Sequence, residues 1–187
     1  MAGRQLNNAR FPWFTVQESL NQHIGKIVRV TPTIVAGTTD NNDVAWNATE
    51  IPNAVPVPGG TSRLIAITLF DEDVENHDMD IVFTQNDDYE LGTVNAAPDI
   101  SDVNFERVSP IGVVRVNWSE HTIPIATGQG ILTLSGNSLG STTLAPLPML
   151  LQADVGSTSV YFHGIAREEI AWAATNDLKI AFHIEYR

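Results

Sequence analysis

The end of the chain alternates without a break. Leu178, Ile180, Phe182, Ile184 and Tyr186 are apolar or amphipathic, and Lys179, Ala181, His183, Glu185 and Arg187 fall between them. A period of two puts one set of side chains on each face of a β-strand. The same texture recurs along the sequence. Residues 27–35 are rich in β-branched side chains, and Pro32 within them predicts an edge strand or two pieces joined at a bulge. Strands are also predicted at 44–51, 63–70, 79–84, 111–118, 123–126, 131–134, 149–153 and 160–166. Turn clusters separate them: 37–43, the proline-rich 52–60 with Gly59 and Gly60, and 136–141. Only residues 166–174 suggest a helical turn. Residues 86–109 are polar and irregular, a length that points to a functional loop or to short strands of its own.

About eight to ten short strands with turns between them predict an all-β fold, a single antiparallel β-sandwich or jelly-roll-like domain over residues 25–187. Residues 1–24 break the pattern. They hold Phe11, Trp13 and Phe14 close together outside any period, which suggests an N-terminal arm; a segment tucked over its own core fits the same residues. Such rings are costly to leave in water, so these three are predicted interface residues.

Composition narrows the partners. The chain has 187 residues and a net charge of −12. An acidic surface disfavours nucleic acid, whose phosphates need clustered Lys and Arg, and disfavours anionic membranes for the same reason. A basic protein surface or a divalent cation fits better. Cysteine is absent, which removes disulfides and thiolate metal sites. The first twenty residues hold no apolar run, so no signal peptide is expected, and no stretch approaches the length of a membrane helix.

Candidate chemistry is sparse. The acidic segment 71–80 offers Asp71, Asp73, Glu75 and Asp78 as hard-oxygen ligands for a cation such as Ca²⁺. It lacks the EF-hand glycine and terminal glutamate, and a solvated hairpin loop guarding the flanking strands is the simpler reading. Ser119, Glu120 and His121 bring a hydroxyl, a carboxylate and an imidazole together. Triads meet through the fold and not as neighbours, so a polar turn is the simpler reading. His163 and His183 lie in strand patterns and are candidates for neighbours across a sheet, though ordinary half-buried strand residues, or pH-sensitive contacts at a subunit interface, are the simpler reading. The glycines at 128–130 and 136–140 lack the lysine of a phosphate loop. No catalytic residue and no cofactor emerges, so no enzyme is expected. Trp46, Trp118 and Trp172 are either core anchors or, if exposed beside acidic loops, the platform of a glycan- or host-surface-binding module.

The order of segments carries a resemblance. Ile27-Val28-Arg29-Val30-Thr31-Pro32-Thr33-Ile34-Val35-Ala36-Gly37 comes first. Phe70-Asp71-Glu72-Asp73 follows, before the apolar Met79-Asp80-Ile81-Val82-Phe83, and Asp177-Leu178-Lys179-Ile180-Ala181-Phe182 closes the chain. In texture and order this resembles small structural proteins of tailed bacteriophages, over most of residues 26–187. The resemblance implies a virion component that decorates or cements the capsid, assembled in the host cytoplasm and placed on the capsid surface. The implied partners are the major capsid protein and further copies of the chain, with a homotrimer suiting threefold sites.

Overall fold

The computed structural model describes residues 25–72, 77–118, 123–126, 129–136 and 147–186. The fold is an antiparallel β-sandwich. In the first sheet β1 (Gly25–Val30), β12 (Leu178–Tyr186), β4 (Thr61–Asp71), β8 (Gln129–Ser135) and β7 (Ile123–Ala126) lie in that order. β9 (Met149–Gln152) pairs with Thr61–Leu64 of β4, while β8 pairs with Ala66–Asp71, so the two share β4 end to end. The second sheet has the order β3 (Val44–Ile51), β10 (Val160–Ala166), β5 (Met79–Thr84), β6 (Pro110–Val116). β2 (Gly37–Thr39) and β11 (Ile170–Trp172) make a small separate ribbon. A short helix, α1 (Asp102–Arg107), is capped by Ser101, whose hydroxyl accepts from the Asn104 backbone N–H.

The two sheets meet through aromatic rings. Phe182 projects from β12 of the first sheet, and its ring meets Phe162 of β10 at 4.9 Å and Phe83 of β5 at 6.0 Å, both edge-on. Trp46 of β3 packs edge-on against Phe162 at 6.1 Å. Edge-to-face contact suits the ring quadrupoles. Ile67, Leu69, Ile180, Ile184, Ile81 and Val114 complete this layer, all fully buried.

β1 matches the expected edge strand, but it ends at Val30, before Pro32. Residues 31–36 leave the ladder because Pro32 has no N–H to give it. Three expectations are corrected. Residues 166–174 form β11 where a helical turn was expected. The acidic segment after β4 is no hairpin loop, since β4 and β5 belong to different sheets and the chain crosses between them. His163 and His183 likewise lie in different sheets and are not cross-strand neighbours.

Residues 85–109 take up the role of a cover. Their ends are tied together, since Gln85 N–H donates to Val108 O and the Asn86 amide donates to Arg107 O. Between the ends, Leu91 and Ile100 pack with Val44, Val82 and Ile165 into a second small core on the outer face of the second sheet. This explains why β5 is buried at every position and does not alternate.

Gly164 of β10 faces the Trp46 indole. A Cβ at this position would lie 2.4 Å from three ring carbons. Trp46 is fully buried, so its ring has nowhere to retreat. Gly164→Ala is expected to cost about 2–3 kcal/mol, lowering Tm by roughly 5–10 °C in thermal unfolding. An unchanged Tm would show that the indole is not held against the backbone here.

Candidate functional site

The richest polar arrangement lies on the outer face of the second sheet. Asp80 sits in β5, with Arg115 opposite it in β6 and Ile165 opposite it in β10. Arg167 follows β10 and ties its backbone N–H to Asp78 O. Both guanidiniums therefore reach the same carboxylate, one from each neighbouring strand. Arg115 grips it with two bonds, Nε to Oδ1 at 2.8 Å and Nη2 to Oδ2 at 3.1 Å. Arg167 Nε lies 2.8 Å from Oδ2 and its Nη1 donates to Asn42 Oδ1 at 2.8 Å. The Asp80 side chain is 10 % exposed, against 39 % for Arg115 and 36 % for Arg167. Two half-hydrated guanidiniums thus compensate one nearly dry carboxylate. The Asp80 hydrogen bond, and then its charge, raises the Arg115 guanidinium further above neutrality.

Around this triad lies an open polar cleft of about 460 Å³, lined by Asn41, Asn42, Asp78, Arg115, Val116, Asn117 and Arg167. Asp78 Oδ1 accepts from the Trp118 backbone N–H at 2.7 Å, and Glu168 Oε1 accepts from the Asp78 N–H at 2.7 Å. Chemically the cleft offers fixed donors and acceptors to a polar surface. The carboxylates beside the arginines balance their charge, so it has no strong bias toward an anion.

Of the predicted cation ligands, Asp73 and Glu75 lie outside the described residues. Asp71 is buried at the end of β4, and Asp78, just before β5, accepts from the distant Trp118 backbone N–H. Among the described residues no three acidic or histidine side chains are grouped so as to hold a metal. Ser119, Glu120 and His121 also lie outside the described residues, as do Phe11, Trp13 and Phe14. Trp46, Trp118 and Trp172 are buried, so none offers a platform to a sugar ring. Trp172 meets the His77 ring edge-on at 5.1 Å and its indole N–H donates to Thr39 Oγ1.

His163 was read as an ordinary strand residue and proves more unusual. It is fully buried beneath residues 85–109. Thr84 donates its hydroxyl proton to Asn86 O at 2.9 Å, so toward His163 Nε2, 3.2 Å away, it can only accept. The imidazole is therefore the Nε2–H tautomer, and Nδ1 is buried without a partner. Burial pushes its pKa down to about 4, with the Asp87 charge opposing. Tyr161 beside it is pushed up, first by burial and then by Asp87 and Glu50. His183 is half-buried on the outer face of the first sheet, its Nε2 3.0 Å from Thr68 Oγ1.

Set against known protein families, curated proteins and solved structures, the chain matches none of them.

Two outcomes follow from this geometry. Asp80→Asn should cost about 2 kcal/mol in urea unfolding, below the range for fully buried pairs because both arginines can rehydrate; an unchanged midpoint would mean that the triad is ornamental. His163 is neutral in the fold down to pH about 4, while the unfolded chain binds its proton near pH 6.5. Between those values the unfolded state holds more protons, so stability falls as pH falls, by roughly 3 kcal/mol across the window. His163→Leu should remove that part of the acid sensitivity, read as the difference in urea midpoint between pH 7 and pH 4.5. Identical pH slopes for the two proteins would contradict the assignment.

Proposed function

We propose that this protein is a structural component of a tailed-phage virion that decorates or cements the capsid through protein–protein contacts. The observation that carries the reading is the strand order. With β8 and β9 taken as one interrupted strand, β1-β12-β4-β8 faces β3-β10-β5-β6. Besides the β7–β8 hairpin in the first sheet, only the step from β5 to β6 stays within one sheet; the others cross the sandwich. We read this wiring as a jelly roll, an architecture used by capsid and lectin domains. A fold alone does not set a function. The segment order that resembles small phage structural proteins adds the second support. The fate of the polar groups adds a third: Asp80, Arg115, Arg167 and Asp78 all bind one another or the backbone, and so hold a surface in shape.

A glycan- or host-surface-binding module on the virion is the second reading. The cleft at Asn41, Asn42 and Asn117 favours it, and the burial of the three tryptophans weighs against it. In the leading reading the major capsid protein and other copies of the chain are the partners, with a homotrimer at threefold sites.

The test is to purify particles of the phage that encodes the chain and measure its copy number by quantitative mass spectrometry. A fixed, stoichiometric number per capsid is expected, with empty capsids recapturing the purified protein. Particles that lack the protein would end this reading, and a glycan-array signal abolished by Asn42→Ala would move the choice to the second.

A further inference from the structure

β3 is the outer strand of the second sheet, with β10 on one side. On its other side, among the described residues, backbone hydrogen bonds form at Val44 alone: its N–H donates to Ala96 O and its O accepts from Asn95 N–H, both at 2.9 Å. There the cover runs parallel to β3 for one bridge, at Val94, and then diverges. The divergence opens a groove of about 590 Å³ along the rest of the edge, lined by Thr33, Val35, Asn47, Ala48, Thr49, Glu90, Thr93 and Val94. Val35 is 47 % exposed. Asn47 donates its amide N–H to Gly92 O at 2.7 Å, while its Oδ1 is buried without a partner. A buried carbonyl oxygen with no donor is costly. A strand edge with free backbone groups beside a groove is a template for an added strand, which would bring donors of its own.

We propose that this groove receives the N-terminal segment, residues 1–24, of a second copy of the chain, added to the open edge of β3. Charge favours this occupant. Residues 1–24 hold Arg4 and Arg10 against one acid, Glu18, whereas the cover carries Asp87, Asp88, Glu90, Asp99, Asp102 and Glu106 against Arg107. Length permits a neighbour. The chain enters β1 at Gly25, beside Glu185, and Lys26 Nζ reaches Asn53 O just past the end of β3. Along that strand Thr49 and Asn47 lie ~13–20 Å from Asn53. Residues 15–24 can span ~33 Å between Phe14 and Gly25, enough to carry Phe11, Trp13 and Phe14 to a neighbouring copy. The proposal gives the capsid-contact reading a means of linking copies, and rests on that reading only for its biological use.

The chain has no cysteine, so an engineered pair reports on this contact directly. A full-length Ala9→Cys/Thr93→Cys double variant, oxidised at micromolar concentration, should form disulfide-linked dimers and longer ladders on a non-reducing gel. Ala48→Lys and Arg10→Glu, each introduced separately, should weaken self-association at least tenfold in sedimentation equilibrium, and Glu90→Lys should restore the Arg10→Glu protein. A disulfide closed within one chain would place the segment on its own domain and overturn the proposal, as would no cross-link at all or self-association indifferent to Ala48→Lys. The measurement uses purified protein, so its failure leaves the virion reading intact, and absence from virions leaves the strand exchange intact.

Discussion

The middle of the second sheet, at β5, is dry on both faces, and much of the molecule answers to that constraint. Phe83, Phe162 and Phe182 seal its inner face, and residues 85–109 seal its outer face with Leu91 and Ile100. Backbone polar groups in β5 and β10 are satisfied by the ladders, so burial is affordable there for main chain but not for charge. Asp80 is compensated there by Arg115 and Arg167. His163 has no such counter-ion in contact and stays neutral. Gly164 has no side chain because Trp46 occupies the space. These are local solutions to one problem, the lack of water around a sheet that carries polar side chains.

The cover solves the problem incompletely. It pairs with β3 at Val44 and then departs, leaving the edge strand with a groove and a buried amide oxygen at Asn47. Natural sheets usually protect such edges with charge, proline or a covering segment. Here the edge presents Ala48 and Thr49, side chains that a neighbouring strand tolerates well. The first sheet differs: its outer row runs Arg29, Ala181, Thr68 and Thr133, with polar contacts between Thr68, Thr133 and His183.

Much of the fold was legible in the sequence wherever one face of a strand is wet. Residues 178–186 and 160–166 were readable to the residue, and 79–84 stood out as an apolar run with β-branched members. The ribbon of β2 and β11 was not legible, because three residues carry no period, and Ala171 to Ala174 mimic a helical turn. The acidic segment hid a crossover, since composition alone does not say whether two strands are neighbours. Of the candidate site, the sequence offered Asp78 and Asp80 inside an acidic run but not their partners. Arg115 and Arg167 reach Asp80 only through strand register, which fixes which residues share a face. A usable signal existed: each arginine interrupts or ends an apolar strand where a solvated residue would not need to be paired.

The central claim is that this domain acts by contact, through an edge that its own described fold leaves open. Hydrogen exchange read by mass spectrometry tests it most directly, comparing dilute free protein with protein assembled on particles. Free protein should exchange quickly at residues 45–51 and slowly in β5 and β10, and assembly should slow exchange at 45–51 and 90–94 by at least tenfold. Assembly that leaves those amides unchanged while protecting another face would contradict the account.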